Sequence, residues 1–214
     1  MIDSNILKID KIPDMNVPRE TLMELEEYGK EILFKNKEVN LISKNTESLI
    51  KSRHIIDSAQ TLDFIDKIDI KFCTDIGSGA GLPGVVLGIL MKKRNPLFKV
   101  IFYEKSYHKS NFIKTMSKKF HLNCEIHRKN IFGESNLITD VIIARAFKPL
   151  PIIFEMAKKN FKHFKYIILF LGKGGKKILN DSFKFWEFDY EEKKSLTNIE
   201  STIVKISNLM KKDG

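Results

Sequence analysis

An α/β fold, a mostly parallel sheet with helices on both faces and a helical cap ahead of it, is predicted by three observations. Up to about residue 67, apolar residues recur at three- to four-residue spacing between charges. From Lys71 onward, short apolar runs alternate with helical patterns, which is how a parallel sheet covered on both faces is written. The first of those runs ends in DIGSGAGLPG, residues 75 to 84, with four glycines in ten positions.

The elements follow in order. Residues 18 to 38 read as a helix: Pro18 suits a first turn, and Leu22, Leu25, Tyr28, Ile32 and Leu33 form one face. A second helical stretch follows Thr46, and another runs from His54 to about Ile65. Strands are predicted at 71–76, 99–104, 124–127, 139–144 and 166–171, with helices at 84–93, 107–120 and 150–163 between them. Trp186 to Tyr190 and Thr202 to Ile206 read as late antiparallel edge strands. This gives a cap over 1–67 and a Rossmann-like core over 68–214, expected to form one compact unit.

Composition narrows the function classes. The 214-residue chain carries a net charge of +10, which suits a polyanionic partner. Lysine dominates the cations; the five arginines (Arg19, Arg53, Arg94, Arg128 and Arg145) are more informative, because a planar guanidinium does work that lysine cannot. No uncharged apolar run is long enough for a membrane span, and the N-terminus lacks the apolar region of a secretory signal, so a cytoplasmic protein is expected. Cys73 and Cys124 match no metal motif and read as buried free thiols. No metal is expected.

Glycine loses the most backbone freedom on folding, so the loop must serve a turn or a close approach. Gly79 to Gly84 formally matches G-x-G-x-x-G, a weak signal alone. Its context is stronger: a strand precedes, a helix follows, and Glu104 closes the next strand, where a carboxylate can take ribose hydroxyls. Two residues favour S-adenosylmethionine over a nicotinamide or flavin dinucleotide. Asp75 sits badly beside a pyrophosphate but suits a cationic methionine end. Pro83 removes an N–H that a pyrophosphate would use at a helix start. No Gly-Lys-Ser/Thr follows, so a P-loop is excluded.

The acceptor is less directly written. Strand four ends Ile143-Ala144-Arg145-Ala146-Phe147, without the Asp/Asn-Pro-Pro-aromatic motif of exocyclic-amine methylation. Neither cysteine lies in a loop suited to pyrimidine C5 attack, and no His/Asp pair stands out as a base. A ring nitrogen such as guanine N7 fits this absence, because its in-plane lone pair carries no proton. Other acceptors needing little base catalysis fit it too.

Asn40-Leu41, Arg53-His54 with Asp57-Ser58, DIGSGAGLPG, Ala144-Arg145-Ala146 and Leu171-Gly172-Lys173-Gly174 together resemble the bacterial RsmG (GidB) family of 16S rRNA guanine-N7 methyltransferases. The resemblance runs from about residue 20 to 175. It implies a class I methyltransferase using S-adenosyl-L-methionine, with 16S ribosomal RNA or the small subunit as partner and the protein acting as a monomer. It further implies that Gly77 and Leu82 line the methionine and adenosine side, with Gly79 in the same cofactor loop. Glu104 would hold the ribose, Lys129 and Asn130 would flank the adenine, and Arg145 would lie at the cofactor. Arg53, His54 and Lys173 would face RNA or support the wall; Arg145 and Lys173 are the candidate catalytic residues, neither certain. Two departures stand out: Glu104-Lys105-Ser106-Tyr107-His108-Lys109 replaces the family's D-S-x-x-K-R, and Asn130 replaces an acid.

Plainer readings exist. His54 also reads as a buried histidine bonded to Asp57 or backbone, and Arg53 as an ion-pair partner of Asp57 or Glu47. Competing functions are methylation of a protein or small molecule, and an RNA-binding module whose loop takes no cofactor.

Overall fold

The computed structural model describes residues 8–13, 15–65 and 69–212. The expected boundary at 67–68, and part of the N-terminal segment, lie outside the described residues.

Helix α1 (Arg19–Asn36) buries Leu22, Leu25, Tyr28, Ile32 and Leu33, the face that the spacing predicts. A 3₁₀ turn (Lys44–Leu49), a wide π-helical turn (Ile50–Ile56) and two short helices, α2 (Asp57–Ala59) and α3 (Leu62–Ile65), follow. The two helices expected after Thr46 and His54 are thus one interrupted helical path. The irregular winding has a use: it offers the backbone carbonyl of Arg53 to a side chain of the core, 2.8 Å away.

The core alternates β1 (Phe72–Ile76), α4 (Gly84–Met91), β2 (Lys99–Tyr103), α5 (Tyr107–Lys119), β3 (Cys124–His127), β4 (Leu137–Ile138), β5 (Val141–Arg145), α6 (Leu150–Asn160), β6 (Phe161–His163), β7 (Tyr166–Leu171), α7 (Gly175–Ser182), β8 (Trp186–Lys194) and β9 (Thr202–Lys211). Seven strands form one sheet in the order β3-β2-β1-β5-β7-β9-β8, parallel except for β9, which is antiparallel to both neighbours. It is the α/β, Rossmann-like sheet expected of a class I methyltransferase. The strand order reverses direction between β1 and β5, so their carboxyl ends flank the crevice where such sheets bind ligands.

Helix α4 is buried on every side, as its unbroken apolar sequence demands. One apolar cluster joins the cap, α4 and α5 to one face of the sheet. A second joins α6 and α7 to the other. Ion pairs stitch the cap down: Glu24 to Lys92 at 2.6 Å, and Glu27 and Glu31 to Lys119 at 2.7 and 2.5 Å.

Three expectations need correction. Helix α6 stops at Asn160, not 163, because the Asn160 amide turns to the carbonyls of Ile131 and Glu134, and Phe161–His163 pairs with β4. Strand β9 is an interior strand, with Ile203, Val204 and Ile206 buried between β7 and β8. Cys73 is buried, but Cys124 is only half-buried on edge strand β3.

Candidate active site

The loop after β1 is held from four sides. Gly77, Gly79 and Gly81 take φ of +67°, +57° and +89°, the left-handed region that side chains disfavour. The N–H groups of Gly77 and Ser78 donate to the Tyr103 carbonyl at 2.9 and 3.3 Å, tying the loop to the end of β2. Gly79 N–H donates to Glu104 Oε2 at 2.9 Å, and Ser106 N–H to Glu104 Oε1 at 2.8 Å. The cap contributes Tyr28, fully buried, whose hydroxyl donates to the Ala80 carbonyl at 2.7 Å.

Asp75 does not take the place expected of it. Its side chain lies fully buried beneath the loop, off the cleft wall, where Oδ2 accepts the Gly84 N–H at 2.8 Å. Burial, partly opposed by that hydrogen bond, pushes its carboxyl up to about 7, and Oδ1 has no hydrogen-bond partner. Asp75 therefore braces the loop from within and does not meet the cationic end of a ligand directly. A Cβ on Gly84 would stand 2.5 Å from that carboxylate, so the glycine is what admits the contact.

Above the loop opens a cleft of about 570 Å³. Its walls come from Gly77 to Ala80 and Leu82, from Glu104 and Lys109, from Arg145 and Ala146 at the end of β5, from Phe170 to Gly172 at the end of β7, and from the cap at Leu41 to Ser43, Thr46, Arg53, His54 and Asp57. Asn198 and Ser201, in the turn between β8 and β9, close the far side.

Arg145 sits at the middle of a polar network in this wall. Its Nη1 donates to the Arg53 carbonyl at 2.8 Å and lies 3.6 Å from Asp57 Oδ2; its Nη2 donates to His54 Nδ1 at 2.6 Å. Since Nδ1 accepts, Nε2 carries the proton and donates to Thr46 Oγ1 at 2.8 Å. Burial, then the charges of Arg145 and Arg53, pull the His54 imidazole down to about 3, so it is neutral. Burial also pulls the Arg145 guanidinium below its ordinary value, against the opposing pull of Asp57. Asp57 Oδ1 accepts from Ser195 Oγ at 2.8 Å, Thr197 Oγ1 at 3.0 Å and Gln60 Nε2 at 3.2 Å. His54 is thus bonded to Thr46 and Arg145, not to Asp57 or backbone. The partner of Asp57 is Arg145, not Arg53, and Glu47 accepts from Asn36 instead.

Of the residues expected at the site, the structure brings together Gly77, Gly79, Leu82, Glu104, Arg53, His54 and Arg145. Three are not on this wall. Lys129 points to Glu134 at 3.3 Å on the surface, and Asn130 caps the turn Ile131–Gly133 by accepting the Phe132 N–H. Lys173 is exposed beside the wall residue Gly172, 3.3 Å from Glu200. Sequence reasoning missed Ser43, Thr46, Asn198 and Ser201; each reaches the cleft through tertiary packing of an irregular segment that bears no motif.

The cradle fits S-adenosylmethionine. A Cβ on Gly79 would meet nothing nearer than the Gly77 carbonyl at 3.9 Å, so bare backbone faces open space there. Glu104 uses one lone pair on Oε2 for the glycine loop and one on Oε1 for the Ser106 N–H, and keeps the others for hydroxyl donors. The profile of the rRNA small subunit methyltransferase G family matches residues 21–207. The chain belongs to that family. Among its relatives, the ribosomal RNA small subunit methyltransferase G of Pelagibacter ubique is 43% identical over 204 residues, covering 94% of this chain and 95% of its own. That of Rickettsia felis is 35% identical over 197 residues, covering 92% and 98%. Solved structures share the fold at low identity. The 16S rRNA methylase RmtB has a TM-score of 0.53 at 12% identity, covering 92% of this chain and 77% of its own. A ribosomal protein L11 methylase from Lactobacillus delbrueckii has 0.51 at 11%, covering 73% and 77%.

Proposed function

We propose that this protein transfers the methyl group of S-adenosyl-L-methionine to N7 of a guanine in 16S ribosomal RNA, acting as a monomer in the cytoplasm. Family membership supports the substrate class. One structural observation carries the choice of atom: the titratable groups on the cleft wall that would serve as a base are already committed. His54 has both ring nitrogens engaged, Asp57 takes three donors and faces Arg145, and Glu104 takes two backbone N–H groups. An acceptor that must lose a proton would find poor help here, whereas guanine N7 has none to lose.

When bound, S-adenosylmethionine would supply an electrophilic methyl on a sulfonium, which guanine N7 would take up while the sulfur kept the electron pair of the C–S bond. The protein's part is positioning. In this reading the glycine loop and Leu82 hold the methionine and adenosine, Glu104 accepts the ribose hydroxyls, and Arg145 fixes the shape of the wall between cofactor and base. Lys173, Arg53 and Lys109 meet phosphates, which makes binding salt-sensitive. Lys129 and Asn130 would reach the adenine only after leaving their present partners.

Mapping N7-methylguanine in 16S rRNA from cells with and without the gene tests the proposal. Loss of one modified guanine is expected; an identical map in both would refute it.

A further inference from the structure

We infer that Ile199, at the tip of the turn between β8 and β9, is the wedge that fills the stack when the target guanine swings into the cleft, a role that rests on the proposed function. A guanine inside folded RNA must leave its neighbours to reach a buried methyl donor, and enzymes of this kind hold the gap open. Apolar side chains inserted between bases do this in other nucleic-acid complexes.

Three observations point to Ile199. It is 90% exposed, the most exposed of the large apolar side chains among the described residues, and it follows directly on Asn198, which lines the cleft. Scattered surface apolar residues are ordinary; one at the rim of the site, on a braced turn, is not. The bracing is extensive. Ser195 and Thr197 donate to Asp57, Leu196 N–H donates to Gln60 Oε1 at 2.8 Å, and Ser195 N–H donates to the Ser201 carbonyl at 2.9 Å. Asn198 Nδ2 donates to Ser201 Oγ at 2.6 Å. Asp57 also faces Arg145, so the turn is fastened to the wall that shapes the site and its tip is held out at a fixed place. Finally, cations stand near the tip: Lys173, 83% exposed, approaches Glu200 beside Ile199, and Arg53 and Lys109 lie on the same cleft with Asp57 and Glu104. An exposed lysine beside the tip can turn to a phosphate, which suits an RNA backbone. Leu196, 44% exposed in the same turn, adds apolar area beside the tip.

The test compares the unaltered protein with Ile199→Ala and Ile199→Leu on a protein-free 16S rRNA fragment. A second fragment carries an abasic residue beside the target guanine, so that its stack is already broken. On the intact fragment Ile199→Ala is expected to lower kcat/KM about tenfold or more, with S-adenosylmethionine affinity unchanged. On the abasic fragment it is expected to match the unaltered protein, and Ile199→Leu to restore the intact-fragment rate. A 2-aminopurine next to the target should brighten on binding the unaltered protein and stay dim with Ile199→Ala. An equal loss on both fragments, or no loss on either, would overturn the inference. So would a loss seen only with assembled small subunits, which would give Ile199 a protein neighbour. No N7 transfer by the unaltered protein to either the intact fragment or assembled small subunits would refute the proposed function first, before any variant is compared.

Discussion

Arg145 Nη2 lies 2.6 Å from His54 Nδ1, so a guanidinium at the carboxyl end of β5 donates to a neutral imidazole of the cap. The same guanidinium donates to the Arg53 carbonyl, and the planar fork serves both at once. Lysine has no such fork. Arg145→Lys is expected to destabilise the fold by about 1–3 kcal/mol, because a partly buried acceptor loses its donor. Methyl transfer is expected to fall at least about tenfold. Denaturant melts and turnover on rRNA check this; wild-type values in both would remove Arg145 from the network's centre.

His54 and Asp75 give opposite pH dependences of stability. The unfolded chain protonates His54 below 6.5, while the folded chain resists until about 3, so stability from this group falls as pH drops through that window. Folded Asp75 keeps its proton up to about 7, while the unfolded carboxyl releases it near 3.8, so stability from this group falls as pH rises. Each slope reaches about 1.4 kcal/mol per pH unit, and between about pH 4 and 6.5 they cancel. Asp75→Asn is expected to leave stability rising with pH there, and His54→Asn to leave it falling. Urea melts across that range decide it; slopes that match the unaltered protein in both variants would contradict the pairing.

Among the described residues, Tyr28 is the one cap hydroxyl bonded to the glycine loop, through the Ala80 carbonyl. Tyr28→Phe keeps the ring and strips the donor. A loss of about 1 kcal/mol in stability is expected, with a several-fold weaker S-adenosylmethionine affinity by calorimetry. Unchanged affinity would mean that the loop holds its shape without the cap.

A Cβ on Gly77 would stand 2.0 Å from the Phe147 ring, at a φ of +67°. Gly77→Ala therefore meets two obstacles, ring and backbone. Adding Phe147→Ala removes only the first, so the double variant is expected to regain part of the lost cofactor affinity and not all of it. Full recovery would show that the backbone angle is unimportant; no recovery would show that the ring is.

Glu104 both pins the loop and, in the proposed function, takes the ribose. Glu104→Ala is expected to weaken cofactor binding at least tenfold without unfolding the chain. A ribose-deoxy analogue of S-adenosylhomocysteine separates the roles. The unaltered protein should prefer the natural ribose and the variant should not; equal preference in both would confine Glu104 to the loop.

Much of this was legible in the residues. Strands β1, β2, β3, β5 and β7 lie within two residues of their expected ends, because buried parallel strands are short apolar runs bounded by breaks. The glycine loop was legible for a backbone reason, since three of its glycines hold angles that other residues avoid. Asp75 was misplaced because a carboxylate next to a ligand loop reads the same whether it points up to the ligand or down into the core; only its 0% exposure separates the two. Strand order is not written in strand patterns, so β9 was set at an edge, whereas Ile203 on one face and Val204 and Ile206 on the other bury it in the interior. The wide turn at Ile50–Ile56 differs from an α-helix by one residue in the reach of its hydrogen bonds, too little for apolar spacing to register over two turns or fewer. Lys129 and Asn130 were carried by resemblance alone, and local capping and pairing hold them elsewhere.

Asp57 and Ser195 meet across 138 positions of sequence. One wall of the cleft is therefore translated well before its counterpart. A chain still being translated carries the glycine loop long before it carries the turn that closes the far side. The glycine loop can therefore take shape before the turn exists, and the complete cleft is present only once segments 138 positions apart have met.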